Sequence, residues 1–200
     1  MIQRKNLALI LIGASLAALP AFSQEGESTR QEVSVQAFGS FVKTTTHNGV
    51  PQSATNSGGV LSSYRFFFTP NHGVEVNYGY SLNTQAYVLG ANSLGVKSNQ
   101  HEVTAAYVYR RPLRRFTPFI EAGVGGLVFD PTDAAGAATQ ARAAFVYGGG
   151  ADFSLTHRLF MRAEYRGLVY NSPTYDLPAA IGNDRVTHRA EPSIGFGYRF

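Results

Sequence analysis

The chain holds no cysteine, so thiol nucleophiles, disulfides and cysteine-bound metals are excluded. Histidine is the next candidate for acid–base work, and there are five: His47, His72, His101, His157 and His188. A histidine becomes a catalytic base when a nucleophile and an orienting acid lie within hydrogen-bond reach. Asp184 and His188 are the nearest approach to such a pair in sequence, and nothing beside them supplies the nucleophile. The glycine clusters Gly123-Val-Gly-Gly126 and Gly148-Gly-Gly150 lack the Lys-Ser/Thr and the helix that a phosphate-binding loop needs. The reading is no catalytic residue, no cofactor and no metal ligand. What remains is a set of regularly placed charges: Arg65, Glu102, Glu121, Arg162, Glu164, Arg166 and Glu191.

Those charges sit in segments that alternate with a period of two, the period of a β-strand. In 74–82, Val74, Val76, Tyr78, Tyr80 and Leu82 share one face, while Glu75, Asn77, Gly79 and Ser81 share the other. In 159–170, Leu159, Met161, Ala163, Tyr165 and Val169 oppose Arg162, Glu164 and Arg166. The last segment sets Ala190, Ile194, Phe196, Tyr198 and Phe200 against Arg189, Glu191, Ser193 and Arg199. Strands over 33–41, 59–69, 101–110, 118–129 and 142–155 follow the same rule. In each, the charges keep to one parity. A soluble sandwich would put Lys on its polar face, and Lys is nearly missing from these strands.

The connections alternate too. Short ones fall at 70–73, 111–116 and 156–158; long ones at 43–58, 83–99, 130–141 and 171–184. No later run is apolar and long enough for a membrane helix. The pattern predicts an all-β fold, an eight-stranded antiparallel up-and-down transmembrane β-barrel, with apolar residues facing lipid and the charges facing the lumen. A lumen that narrow is filled by side chains, so the seven charges are expected to pair as a network. Pro192 stands against the pattern, because it removes a ladder donor. A bulge or the strand's outer end would absorb it.

The N-terminus carries Arg4 and Lys5, an apolar stretch from Leu7 to Leu19, Pro20, and then Ala21-Phe22-Ser23. This predicts a signal peptide over 1–23, a short segment over 24–31 and the barrel over 32–200. Arg4 and Lys5 supply two of the formal +4 charges. The remainder shows no basic run interleaved with stacking aromatics, so nucleic acid is not an expected partner.

The stretches 64–80, Thr117-Pro-Phe-Ile-Glu-Ala-Gly-Val-Gly125, Arg162-Ala-Glu-Tyr-Arg166 and Gly195-Phe-Gly-Tyr-Arg-Phe200 resemble the small OmpA/OmpX-type outer-membrane barrels. The resemblance implies a monomer in the cell outer membrane, surrounded by outer-membrane lipids, with an internal Arg/Glu network. It also implies that Phe196, Tyr198 and Phe200 form an assembly signal read by the barrel assembly machinery, after escort by periplasmic chaperones. Three function classes stay open: a structural or surface-display barrel, with an adhesive role included; a small porin-like channel; and a lipid-modifying or proteolytic barrel. The first is the leading expectation. Deleting Phe200 is expected to slow insertion in cells, read by pulse-chase of the heat-modifiable band, while leaving the refolded barrel's urea midpoint nearly unchanged.

Overall fold

Residues 30–47, 50–89, 92–132, 138–173 and 186–200 are described by the computed structural model. The expected signal peptide over 1–23, Asp184 and most of the 171–184 connection lie outside them.

Among the described residues ten strands form one sheet: β1 (Gln31–Val42), β2 (Thr45–His47), β3 (Val50–Ala54), β4 (Ser57–Phe67), β5 (His72–Leu89), β6 (Asn92–Arg110), β7 (Phe116–Pro131), β8 (Gln140–Ser154), β9 (Leu159–Asn171) and β10 (Val186–Arg199). Eight of them close a barrel in the order β1, β4, β5, β6, β7, β8, β9, β10, and β10 returns to pair with β1. Every pairing is antiparallel. Backbone hydrogen bonds between Gln31 and Phe200, at 3.3 and 3.0 Å, fasten the closing pair at its short-turn end.

Closure turns the period-two alternation into an inside and an outside. Val74 and Val76 are exposed, while Glu75 and Asn77, alternating with them, are buried. Ile120, Val124, Ile194 and Phe196 are each more than half exposed, a distribution that only an apolar surrounding tolerates on this scale. Glycine on the lumen parity makes room for large inward side chains. At Gly197 a Cβ would fall 2.1 Å from the Phe160 ring, and at Gly148 it would fall 3.2 Å from a Glu121 carboxylate oxygen.

The structure departs from the sequence expectation in two respects: the connections 43–58 and 83–99 contain strands, and Pro192 makes no bulge. The stretch 83–99, expected as a long connection, continues the barrel strands: the β5–β6 ladder runs unbroken from His72↔Tyr109 to Leu89↔Asn92. The apolar alternation stops at Leu82, and the extension beyond it is rich in Ser, Asn, Thr and Gln, so its sequence does not carry the strand pattern. The hairpin β2–β3 adds to it through Gln52↔Tyr87, Ser53↔Ala86 and Ala54↔Gln85.

The second departure is Pro192. The β1–β10 register is the same at Phe38↔Ser193 and at Phe41↔Ala190, so there is no bulge, yet the pairs between them are missing from the ladder. On the other side Pro192 stays opposite Tyr165 of β9. The proline's missing donor therefore falls on the closing seam. A hollow of about 420 Å³ bordered by Gly39, Pro192 and Ile194 marks the lapse.

Tyr165 faces outward at mid-strand, 43% exposed. A Tyr165→Arg change puts a guanidinium against hydrocarbon and is expected to cost about 2–4 kcal/mol. Urea titration of the refolded protein in lipid vesicles reads this loss.

Candidate functional site

The lumen is stacked in layers. Toward the short-turn end, Glu32 of β1 and Asp152 of β8 receive three arginines. Arg162 of β9 donates from Nε and Nη2 to the two Asp152 oxygens at 2.7 and 2.9 Å, and from Nη2 to Glu32 at 3.1 Å. Arg110 and Arg199 reach the other Glu32 oxygen at 2.5 and 3.0 Å. The two-pronged contact with Asp152 uses the planar fork that only arginine offers.

In the middle layer Arg65 of β4 meets three carboxylates. It is hydrogen-bonded to Glu75 on the adjacent strand, and it reaches Glu164 of β9 at 3.3 Å and Glu121 of β7 at 3.5 Å. Oxygens of the three carboxylates lie within 4.8 Å of one another, near enough to hold a cation together, and the Arg65 guanidinium supplies that positive charge. Gln36 donates to Glu164 at 2.9 Å and accepts from Ser193 at 3.0 Å.

In the third layer Arg166 of β9 binds Glu102 of β6, with Glu191 at 3.3 Å and Thr104 at 3.1 Å. Arg189 of β10 crosses the barrel to Glu102 and donates to Gln100 at 2.9 Å. It also lies 2.5 Å from Glu191. Strands β10 and β6 are on opposite sides of the ring, so this bond spans the lumen.

Aromatic rings fill the space between guanidinium planes. Arg65 lies 3.9 Å above the Phe119 ring, Arg110 3.4 Å above Phe67, and Arg199 4.5 Å above Phe160. Apolar clusters flank the charges. Phe67, Val108 and Phe119 sit toward the short-turn end. Val96, Leu127, Phe129, Ala144, Val146, Leu168 and Tyr170 line the β6–β9 wall toward the other end.

The structure places Arg65, Glu102, Glu121, Arg162, Glu164, Arg166 and Glu191 inward and buried, and the contacts above join them. Sequence reasoning left Glu32, Glu75, Asp152, Arg189, Arg110 and Arg199 out of the network, and each pairs within it. Glu75 and Arg189 already lay on the charged parity; Glu32 and Asp152 sat near segment ends, where parity counts for less. The apolar clusters were also missed, because an inward Leu or Phe breaks the simple rule of apolar outside. Phe196 and Tyr198 face outward, 63% and 37% exposed. Phe200 lies past the end of β10, and its backbone N–H donates to Gln31.

The histidines lie elsewhere. His101 is joined to the Tyr78 hydroxyl and His188 to the Tyr147 hydroxyl, each at 2.9 Å, and His72 is hydrogen-bonded to Tyr107. Each partner is a phenol on the outer face. Among the described residues no carboxylate pairs with any of these three.

Removing one partner of a buried pair strands the other charge, typically costing about 3–5 kcal/mol. Asp152→Ala is expected to fall in that range. Glu121→Ala should cost less, because its oxygens stand 3.5 Å from both Arg65 and Arg166. Paired urea titrations of the two refolded variants check the order.

The family model for the outer membrane protein beta-barrel domain matches residues 9–200. No curated protein sequence matches the chain. Among solved structures, the outer membrane protein OprG from Pseudomonas aeruginosa aligns with a TM-score of 0.61 at 17% identity, over 89% of this chain and 99% of that one. Neisserial surface protein A aligns with a TM-score of 0.64 at 14% identity, over 88% and 100%. Ail, the attachment invasion locus protein of Yersinia pestis, aligns with a TM-score of 0.53 at 19% identity, over 87% and 100%. At these identities the structural likeness speaks to fold alone. The family match carries the rest: this chain belongs to the outer membrane protein β-barrel domain family and resides in the cell outer membrane.

Proposed function

We propose that this protein is a plugged barrel, exported by a signal over residues 1–23, which serves the envelope through its outer surfaces rather than through its lumen or through catalysis. One observation carries the reading. Arg65, Arg162, Arg166 and Arg189 are 0–1% exposed; Arg65, Arg166 and Arg189 bond across the lumen to strands three or four places away in the ring, and Arg162 reaches past β10 to Glu32 of β1. A pore needs water along its axis; here the axis is occupied by side chains held by charge-assisted hydrogen bonds.

The surface-display part of the reading rests on the sheet that β2, β3 and the ends of β5 and β6 build beyond the barrel. In this architecture short turns face the periplasm and long connections face outward. The extended sheet then stands on the cell surface. It is rich in neutral polar residues, which suits contact with a partner as well as with water. Phe196, Tyr198 and Phe200 retain the role of an assembly signal in this proposal, with outer-membrane lipids as surroundings and a monomer as the unit.

In planar bilayers the refolded protein is expected to give no conductance steps, and the Arg65→Ala/Arg166→Ala double variant to give them. Steps from the unaltered protein would sink the plug and favour the channel reading. A thiol introduced as Asn56→Cys is unique in this chain, and it should react with a membrane-impermeant maleimide on intact cells. Failure to label there would remove the display role.

A further inference from the structure

At the short-turn end, two neighbouring turns collect basic side chains on one side of the rim. The β6–β7 turn supplies Arg111, Arg114 and Arg115; the β8–β9 turn supplies His157 and Arg158. The β7–β8 ladder brings the two turns together, and the Ser154 N–H donates to the Arg115 carbonyl at 2.9 Å. The first turn is itself held: Leu113 and Phe116 exchange backbone hydrogen bonds at 2.9 and 3.0 Å, and Arg111 N–H donates to Pro118 at 2.9 Å. Its arginines are therefore presented on a fixed frame.

Arg111, Arg114 and Arg115 are exposed, and among the described residues no acid or side-chain hydrogen bond engages them. The acids at this end, Glu32 and Asp152, are buried and already answered by Arg110, Arg162 and Arg199. No Asp or Glu side chain is exposed at this end among the described residues. Between the turns lies a cleft of about 330 Å³, lined by Arg110, Arg114, Thr117, Ser154, His157 and Arg199. Apolar groups on the same elements face the hydrocarbon beside it. Leu113 is 48% exposed, and Phe116 and Phe153, both 39% exposed, pack with ring centroids 5.2 Å apart.

We infer that this cleft and rim form a binding site for an anionic phospholipid of the inner leaflet, its phosphate held by Arg114 and the rim arginines and its acyl chains lying on Leu113, Phe116 and Phe153. The pairing of unanswered cations with exposed apolar groups on one rigid turn selects a lipid. A soluble anion would have no use for the apolar half. Neutral zwitterionic headgroups carry an ammonium that the arginines repel, so the site discriminates by headgroup charge.

The test uses the refolded full chain in nanodiscs of phosphatidylcholine doped with phosphatidylglycerol, with spin-labelled lipids reporting relative association. Phosphatidylglycerol should be retained preferentially, and the preference should weaken as salt rises. The Arg111→Gln/Arg114→Gln/Arg115→Gln variant should abolish it. Each arginine lost is worth about fivefold. The Arg30→Gln variant, outside this cleft, should keep the preference. Should the triple variant fail to refold, the single Arg114→Gln change, with its fivefold loss, answers the same question. Equal retention of both lipids by the unaltered protein would overturn the inference. So would a triple variant that keeps the preference. Displacement of the labelled lipid by soluble glycerol phosphate would also overturn it, because it would mark a site for free anions.

Discussion

Backbone amides in hydrocarbon have no water to turn to, so a strand that spans a membrane must find both of its neighbours. In this chain that demand is met only when β10 comes back to β1, and the rest of the structure follows from that closure. An eight-stranded ring leaves an interior about one side chain deep from each wall. Whatever the inward parity carries must then fit and be neutralised there. Arg162 can lie fully buried because Asp152 and Glu32 take its guanidinium, and those acids are tolerable because Arg162, Arg110 and Arg199 are present. Neither sign of charge is admissible alone in such a space.

The chemistry of the network explains why its cations are arginines. A guanidinium presents five donors in a plane and lies flat over an aromatic face, so one residue can serve two carboxylates and a ring together. Arg65 does so with Glu75, Glu164 and Phe119. A lysine ammonium is compact and more strongly hydrated. The two lysines among the described residues, Lys43 and Lys97, both lie toward the long-connection end, away from the packed charged layers. The lumen is thus an ordinary protein core in its packing, built from ions and rings in the middle and from aliphatic groups toward one wall.

Much of this was legible in the sequence, because a barrel strand writes its two environments on alternate residues. Val74 to Leu82 and Leu159 to Tyr170 announced both the strands and their facing. Legibility failed where both parities carry the same kind of residue. Beyond Leu82 the residues are mostly polar on both parities, the apolar alternation stops, and the strand extension read as a loop. It failed also where the lumen is apolar, as at Leu127, Val146 and Leu168, which lie on the inward parity against the rule of apolar outside. Partner choice was illegible for a different reason. Arg189 and Glu102 meet across the full width of the ring, and nothing local in either strand encodes a contact between residues so distant in sequence. Pro192 was visible as an anomaly, but its location on the seam between the first and last strands was not.

The buried charges also bear on a stage before any barrel exists. A protein bound for an outer membrane must first cross an inner one without being kept there. On the insertion scale a central Arg or Asp costs about 2.5–3.5 kcal/mol, whereas Leu, Phe or Val returns only about 0.3–0.6. With Arg162, Glu164 and Arg166 inside β9, the few apolar residues of that strand cannot repay the cost of partitioning as a helix. The residues that pair in the lumen are also the ones that make β9 a poor candidate for retention in an inner membrane.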